Sequence, residues 1–385
     1  MLGFSEPAEH LAIRDAVASI GGKYGHGYFA DCARRGEFTT DLWDEIFAGG
    51  FGGVNLPQEY GGGGGGLQEM SLVIEELSAA GCPLIFLIVA GMCGPLINEF
   101  GTEEQKREWL PGIADGARRM AFATTEAGAG SNIYNTTTRA EPAGDGWMLN
   151  GAKQFITGVD IADAMLVVCR SGTDDRGRTQ LSLLIVDTDD PGVTFHPIDM
   201  EIKAPDRQFG VFFDDVRLPA DRLIGQVPHQ GFKQIFSGLN PERVNVAAQA
   251  VGLGRYFLSK AVAYAGERNV WGVPVGSYQG ISHPMSEAKI HLDLADLMKT
   301  KGAWLFDHGL PEVGQAASAA KLAAADACLE CFDVAIQVHG GNAFATEYGL
   351  GDLWGLARLM KSAPVSREMV LNFVAQQSLE LPRSY

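Results

Sequence analysis

The pattern of apolar residues changes twice along the 385-residue chain, and these changes constrain the fold more than any single motif. From residue 6 to about residue 117, apolar side chains recur at helical spacing. Short apolar runs between Gly, Asp and Pro clusters follow and predict strands at residues 147–150, 164–169, 181–186 and 209–213. Helical spacing returns at Gly231. The sequence therefore predicts an α+β protein, with a helical domain at residues 1–117, an antiparallel β domain at 118–228 and a helical domain at 229–385.

Composition argues against several classes of function. The formal net charge of −17 leaves no basic surface for nucleic acid. The longest apolar run, residues 82–97, is broken by glycine and proline and is too short to span a bilayer. The six cysteines form no disulfide framework and no leader segment is recognisable, so we expect a cytoplasmic protein. The eight histidines form no ligand cluster, so no metal is expected.

Two conspicuous motifs are better explained by structure than by chemistry. Residues 61–66 are six consecutive glycines, but no buried strand precedes them and no Gly-Lys-Ser/Thr follows, so they predict a flexible loop before a helix rather than a phosphate site. Cys328 and Cys331 form a C-x-x-C pattern inside an alanine-rich helical run. A redox pair prefers a helix N-terminus, so packing in the core is the favoured role.

Residues 120–132, MAFATTEAGAGSN, run from a β-compatible segment into a loop with Gly128, Gly130 and Ser131. Glycines let a flat ring or an anion approach the main chain closely, although an ordinary glycine-rich turn fits this stretch equally well. Four more blocks follow it in order: 149–157 (LNGAKQFIT), 241–247 (PERVNVA), 267–279 (ERNVWGVPVGSYQ) and 337–342 (QVHGGN).

The five blocks together resemble the acyl-CoA dehydrogenase family of flavoproteins over nearly the whole chain. This resemblance implies a small β domain between two helical domains, the last a four-helix bundle. It also implies FAD as cofactor, an acyl-CoA substrate and an electron-transferring flavoprotein as the electron acceptor. A homotetramer is expected, and a hetero-oligomer stays open.

The resemblance also assigns the cofactor contacts. Residues implied beside the isoalloxazine ring are Phe122, Thr124, Thr125, Gly130, Ser131, Phe155, Ile156 and Thr157, and Ser131 is also implied in substrate binding. Arg268 matches the arginine on the FAD pyrophosphate, whereas an isolated arginine would by default form a surface ion pair with an acid such as Glu267. Further implied contacts, some from a neighbouring subunit, are Trp271, Gln279, Gln337, Gly340 and Gly341.

The resemblance is incomplete where the catalytic base should lie. Most members of the family carry a glutamate near the C-terminus, and counting from the block at 337–342 brings Pro364 to that position. A minority, the isovaleryl-CoA and long-chain dehydrogenases, carry the base on an earlier helix, at the position of Glu242 in this chain. We therefore predict Glu242 as the base and Arg243 as a substrate-binding residue. The alternative for Glu242 is a first-turn glutamate after Pro241, which the helix dipole would favour.

Pro364 has a second consequence, because it has no N–H to hold the thioester oxygen. Another N–H of the loop could serve in its place. Alternatively, the chain is a weak or silent subunit that completes FAD sites in a hetero-oligomer. A third alternative is a protein of the same fold that passes its electrons to oxygen, as the related oxidases and monooxygenases do.

Overall fold

The computed structural model describes residues 5–383. The helices before the first strand are α1 (Ala8–Arg35), α2 (Thr40–Ala48), α3 (Leu67–Ala79), α4 (Ile85–Phe100) and α5 (Glu103–Ala114). Helix α4 coincides with the longest apolar run and is buried along most of its length, because its residues are apolar on nearly every face. No helix in the described part of the chain is long and apolar enough to cross a membrane.

A seven-stranded sheet follows these helices. Its strands are β1 (Met120–Ala123), β2 (Arg139–Ala143), β3 (Gly146–Thr157), β4 (Ala164–Thr173), β5 (Thr179–Asp187), β6 (Val193–Pro197) and β7 (Gln208–Pro219). The order is β1-β4-β2-β3-β7-β6, and β5 pairs with β4. Most pairs are antiparallel, as predicted, but both β1 and β2 run parallel to β4. The long connection through β2 and β3 allows this, because a parallel pair cannot be joined by a tight turn.

The C-terminal helices are α6 (Gly231–Glu267), α7 (Gln279–Asp307), α8 (Val313–His339), α9 (Trp354–Leu359) and α10 (Arg367–Gln377). A short hairpin, β8 (Asn269–Val270) and β9 (Val273–Pro274), joins α6 to α7. Helices α6, α7 and α8 pack against one another, and α10 packs on α8. Helix α6 also packs on α3 and α4, so one long helix links the two helical regions. The predicted helical–β–helical architecture is confirmed.

The glycine run at residues 61–66 is closely packed, which corrects the predicted flexible loop. The N–H groups of Gly64 and Gly65 donate to the carbonyls of Leu56 and Val54 at 2.8 and 2.9 Å. A Cβ atom at Gly62 would lie only 2.3 Å from the Leu56 carbonyl oxygen. The glycines are therefore needed for close backbone approach.

The C-x-x-C pair has the packing role predicted from its place in a helix. Cys328 and Cys331 are fully buried within α8, and neither is in a disulfide. Burial raises the pKa of Cys331 to about 12. The thiolate needed for redox chemistry is therefore strongly disfavoured.

Candidate active site

A buried ion pair shapes the loop that follows β1. Lys153 Nζ lies 2.9 Å from Glu126 Oε1 and also donates to the Thr124 carbonyl at 3.0 Å. Glu126 Oε2 accepts hydrogen bonds from the N–H and hydroxyl of Thr137, at 2.8 and 2.6 Å. Burial opposes ionisation of Glu126, but the charge of Lys153 and the Thr137 hydrogen bonds outweigh it and lower the pKa of Glu126 to about 2. The ion pair thus fixes the path of the loop.

The loop itself presents open backbone. A Cβ atom at either Gly128 or Gly130 would meet no atom within 4 Å, and Ser131 is exposed. Phe122, Thr124 and Thr125 are half-buried at the end of β1. This side of the loop is therefore accessible to a flat ligand.

The second motif comes to the same loop through a bulge in β3. The N–H of Gln154 donates to the Thr125 carbonyl at 2.8 Å. The register between β3 and β7 shifts between Lys153 and Ile156, and Phe155 within the bulge has a φ of 57°. A phenylalanine in this left-handed region is strained, which is characteristic of functional bulges.

The bulge separates the side chains of the three predicted ring contacts. The ring of Phe155 is 49% exposed, and the Thr157 hydroxyl is half-buried and accepts from Gln208 Nε2 at 3.0 Å. Ile156, in contrast, is buried in the hydrophobic core. The predicted contact of Ile156 with the cofactor therefore stays a prediction, and it would have to be made by the backbone of Ile156.

Glu242 lies well inside α6, which begins at Gly231. The alternative of a first-turn glutamate is therefore contradicted. Glu242 is half-buried, and within residues 5–383 its carboxylate makes no ion pair or hydrogen bond. Desolvation raises the pKa of Glu242 to about 7, although the positive charges of Arg243 and Lys321 oppose the rise. A carboxylate with a pKa near neutrality and no partner is suited to general-base catalysis.

Contacts through α4 connect Glu242 to the loop after β1. Helix α4 packs on both α6 and β1, and the negative charge of Glu242 contributes, after burial, to raising the pKa of the Cys93 thiol on α4. Cys93 Sγ in turn lies 3.8 Å from the Ala121 carbonyl oxygen in β1. Helix α4 thus lies between the helix that carries the candidate base and the strand that leads into the candidate flavin loop.

Two cations accompany Glu242. Arg243 donates to Asn240 Oδ1 at 3.0 Å, while its Nε is buried and lacks a partner in the described chain. Lys321, on α8, is buried and donates to the Val365 carbonyl at 2.6 Å. Burial lowers the pKa of Lys321 to about 8. Lys321 therefore holds the loop that contains Pro364 close to Glu242.

The remaining predicted cofactor residues form a second group at the C-terminal end of α6. Arg268 follows the last residue of α6, and its exposed guanidinium has no ion pair among the described residues. The default alternative, an ion pair with Glu267, is therefore not observed. Exposed members of this group are Trp271 in the β8–β9 turn, Gln279 at the start of α7, and Gln337, Gly340 and Gly341 at the end of α8.

This second group is held together by aromatic contacts between α6 and α8. The rings of Tyr264 and His339 stack with centroids 4.3 Å apart. Asn342 Nδ2 donates to the Tyr264 hydroxyl at 2.9 Å. The structure thus brings the predicted contacts together as two separate groups, one around Glu242 and one around Arg268.

Comparison with protein families decides the identity of this arrangement. The models of the N-terminal, middle and C-terminal domains of acyl-CoA dehydrogenases match residues 7–117, 121–216 and 229–379. The chain belongs to the acyl-CoA dehydrogenase family. Acyl-CoA dehydrogenase FadE12 of Mycobacterium tuberculosis is 51% identical over 385 residues, covering 99% of both chains.

Solved structures agree with this assignment. A glutaryl-CoA dehydrogenase complex superposes with a TM-score of 0.94 at 25% identity, covering 100% of this chain and 98% of the other. Butyryl-CoA dehydrogenase from Megasphaera elsdenii gives 0.92 at 28% identity, covering 98% and 100%. The protein is thus an FAD-dependent oxidoreductase that acts on CH–CH groups.

The residues present fit this cofactor. The open backbone at Gly128 and Gly130 can receive a flat ring system. The guanidinium of Arg268, without an ion pair in the described chain, is available for a pyrophosphate, which it can bind through two oxygens. Both features match the roles that the sequence motifs indicate.

Sequence reasoning missed three of the groups that shape the site. Glu126 lies in the motif at 120–132 and Lys153 in the motif at 149–157. Two opposite charges within otherwise apolar or glycine-rich motifs were the signal that could have indicated this ion pair. Lys321 lies in an alanine-rich helix far from the other motifs, where a lone lysine is usually solvated. Its role depends on the packing of α8 against α6.

Proposed function

We propose that this acyl-CoA dehydrogenase converts an acyl-CoA thioester into a trans-2-enoyl-CoA, with Glu242 as the base. The observation that carries the proposal is the Glu242 carboxylate, whose pKa is raised to about 7 and whose charge acts on Cys93 of α4, the residue that contacts β1. Glu368, the other carboxylate near Pro364, is exposed, and backbone hydrogen bonding lowers its pKa. Glu242 is therefore the stronger base of the two and is less accessible to water, so it is better suited to removing an α-proton.

The reaction needs a base over the α-carbon and donors at the thioester oxygen. FAD, when bound, supplies the acceptor for the hydride that leaves the β-carbon. Glu242 takes the α-proton, and the positive charges of Arg243 and Lys321 hold its pKa near neutrality instead of higher. Arg243 Nε, buried and unpartnered, is available to orient the substrate.

Val365 is our candidate donor to the thioester oxygen. Pro364 has no N–H, and the N–H groups of Ser362 and Ala363 donate to the Leu359 carbonyl. The N–H of Val365 makes no hydrogen bond with any residue from 5 to 383, while Lys321 anchors the carbonyl of the same residue. One such donor is worth about 10²–10³ in rate.

The separation of the two residue groups supports an oligomer. Arg268 lies 26 positions after Glu242 along α6, or ~39 Å at 1.5 Å per residue. One dinucleotide cannot touch both groups within one subunit, so we infer that a second copy supplies the Arg268 group. Ile290, Leu294 and Leu297 form an exposed apolar stripe on α7 at i, i+4 and i+7, which suits helix pairing. We propose a homotetramer.

A silent subunit of a hetero-oligomer is the second candidate, and Pro364 favours it. If Val365 cannot replace the missing donor, the chain would bind FAD but oxidise thioesters poorly. For the active form we propose an electron-transferring flavoprotein as the acceptor rather than oxygen. The free cysteines of the described chain are consistent with a cytoplasmic location, and we propose domain boundaries at 117/118 and 228/229.

Anaerobic titration of the purified holoenzyme with a panel of acyl-CoA thioesters distinguishes these candidates. A dehydrogenase bleaches the flavin with at least one thioester, and the enoyl product appears in equal amount. A silent subunit stays yellow with all of them. Reoxidation by electron-transferring flavoprotein that is faster than by air would support the proposed acceptor, and the reverse order would favour an oxidase.

A further inference from the structure

Two buried amide side chains on α6 have polar atoms without a hydrogen-bond partner in residues 5–383. Asn245 is fully buried, and neither its Nδ2 nor its Oδ1 has a partner in the described chain. Gln249 is 3% exposed, and its Nε2 is likewise unpartnered. Buried polar groups in folded proteins are nearly always paired, because leaving them unpaired costs stability. Such unpaired groups in one row require an explanation.

Both amides lie on the same side of α6 as the proposed base. At 100° and 1.5 Å per residue, Asn245 is ~4.5 Å and Gln249 ~10.5 Å beyond Glu242 along the helix axis, within about 60° of it around the axis. The neighbours on this face are α4 and α3. A Cβ atom at Gly238 would lie 3.2 Å from Leu96, and one at Gly252 would lie 2.2 Å from the Glu75 carbonyl oxygen. The two amides therefore lie between α6 and these helices, in a line leading away from Glu242.

Another glutamine on the same helix shows how a structural amide is accommodated. Gln234 is 3% exposed, as Gln249 is, but its Nε2 donates to the Ile224 carbonyl at 3.3 Å. Helix α6 therefore gives a buried amide a partner where the amide serves packing. Gln249 is as buried as Gln234, but its Nε2 has no such partner in the described chain, and the same holds for both polar atoms of the Asn245 side chain.

We propose that Asn245 and Gln249 form a polar subsite for the acyl group, so that the substrate carries a neutral hydrogen-bonding substituent, such as a hydroxyl or oxo group, beyond the β-carbon. The proposal rests on the proposed function, because it takes Glu242 to lie over the α-carbon. Amides offer donors and an acceptor without net charge, which suits a neutral group. A carboxylate tail would instead call for an unpaired cation. Arg243 and Lys321 lie at the Glu242 end of the row, and Lys299 and Arg255 beyond its other end are already paired with Glu75.

Matched pairs of thioesters test this subsite. Each pair consists of two thioesters of the same chain length, of which one is plain and the other carries one hydroxyl group beyond the β-carbon. The position of the hydroxyl group moves by one carbon from pair to pair. We expect wild-type holoenzyme to bind one hydroxylated member about 10- to 100-fold more tightly than its plain counterpart by calorimetry. Asn245→Leu or Gln249→Met should reduce this ratio towards one, whereas Gln234→Met, the matched control, should leave it unchanged.

Thermal unfolding gives a readout that does not depend on substrate. Asn245→Leu and Gln249→Met should keep or raise the melting temperature, because they remove unpaired buried polar atoms, while Gln234→Met should lower it. A wild-type affinity ratio near one for every pair would overturn the subsite. The subsite would also be overturned if Asn245→Leu and Gln249→Met both kept the wild-type affinity ratio and both lowered the melting temperature as Gln234→Met does. Failure of every thioester to bleach the flavin would refute the proposed activity instead, and the affinity ratio would still decide on the subsite.

Discussion

Replacing Glu242 by glutamine tests the chemistry most directly. Glutamine keeps the size of the side chain and its capacity for hydrogen bonding but cannot accept the α-proton. We expect Glu242→Gln to stay yellow and to bind thioester, while flavin bleaching slows by at least ~10²-fold. Because the Glu242 carboxylate makes no ion pair or hydrogen bond within residues 5–383, the exchange breaks no polar contact of the fold.

The pKa of Glu242 also predicts a pH dependence. Desolvation places this pKa at about 7, so about one-tenth of the carboxyl is ionised at pH 6 and about nine-tenths at pH 8. Because only the carboxylate can act as the base, the rate of bleaching at low thioester concentration should rise about tenfold over this range. Stopped-flow absorbance under anaerobic conditions measures it.

Glu368→Gln is the matched control for this experiment. Glu368 lies in the first turn of α10, is exposed, and follows the loop that contains Pro364. Its exchange should change neither the bleaching rate nor the profile. Wild-type bleaching that Glu368→Gln abolishes and Glu242→Gln leaves intact would refute the helix-borne base. A flat profile between pH 6 and 8 would refute the proposed titration of Glu242.

Three further variants test the surroundings of the site. Arg268→Ala should lose FAD on dialysis, because a pyrophosphate contact is removed; unchanged FAD affinity would contradict that role. Lys321→Met removes a charge that lowers the pKa of Glu242. The acid limb of the pH profile of flavin bleaching should therefore move to higher pH, and a shift of this limb to lower pH would contradict the reasoning. Glu126→Gln leaves Lys153 buried without its counter-charge, and we expect a loss of about 3–5 kcal/mol in guanidinium unfolding. In wild type, this contribution is present above pH 4.5 and declines as the pH falls towards 2, the folded-state pKa of Glu126.

The order of helices and strands could be predicted because it is a local property of the sequence. The strands anticipated around residues 147–150, 164–169, 181–186 and 209–213 all lie within β3, β4, β5 and β7. The parallel pairing of β1 with β4 was not predictable in this way, since it joins segments some forty residues apart. The packing of the glycine run was missed for the same reason, because its partners lie outside the run.

In the candidate site, too, the local features could be predicted from the sequence and the long-range contacts could not. Motifs indicated which segments meet a ligand, and the bond from Gln154 to Thr125 does bring two of them together. They did not indicate that Ile156 points into the core, because the bulge at Phe155 changes which side chains face outward. Nor did they indicate Lys321, whose proximity to Glu242 arises from helix packing.

A base on α6 has a structural consequence for the loop that carries Pro364. The position of Glu242 is set by the packing of α6 against α4 and α8, which are joined to it by extensive apolar contact. A base in the loop would instead depend on the conformation of the loop itself. If the base is on the helix, the loop has to supply only an N–H, and the Val365 N–H, which makes no hydrogen bond within residues 5–383, is our proposed donor although a proline precedes it. Lys321 is the link between the two, because it contacts the Val365 carbonyl and its charge acts on Glu242. Changes on α8 should therefore affect the chemistry more than changes of side chain within the loop.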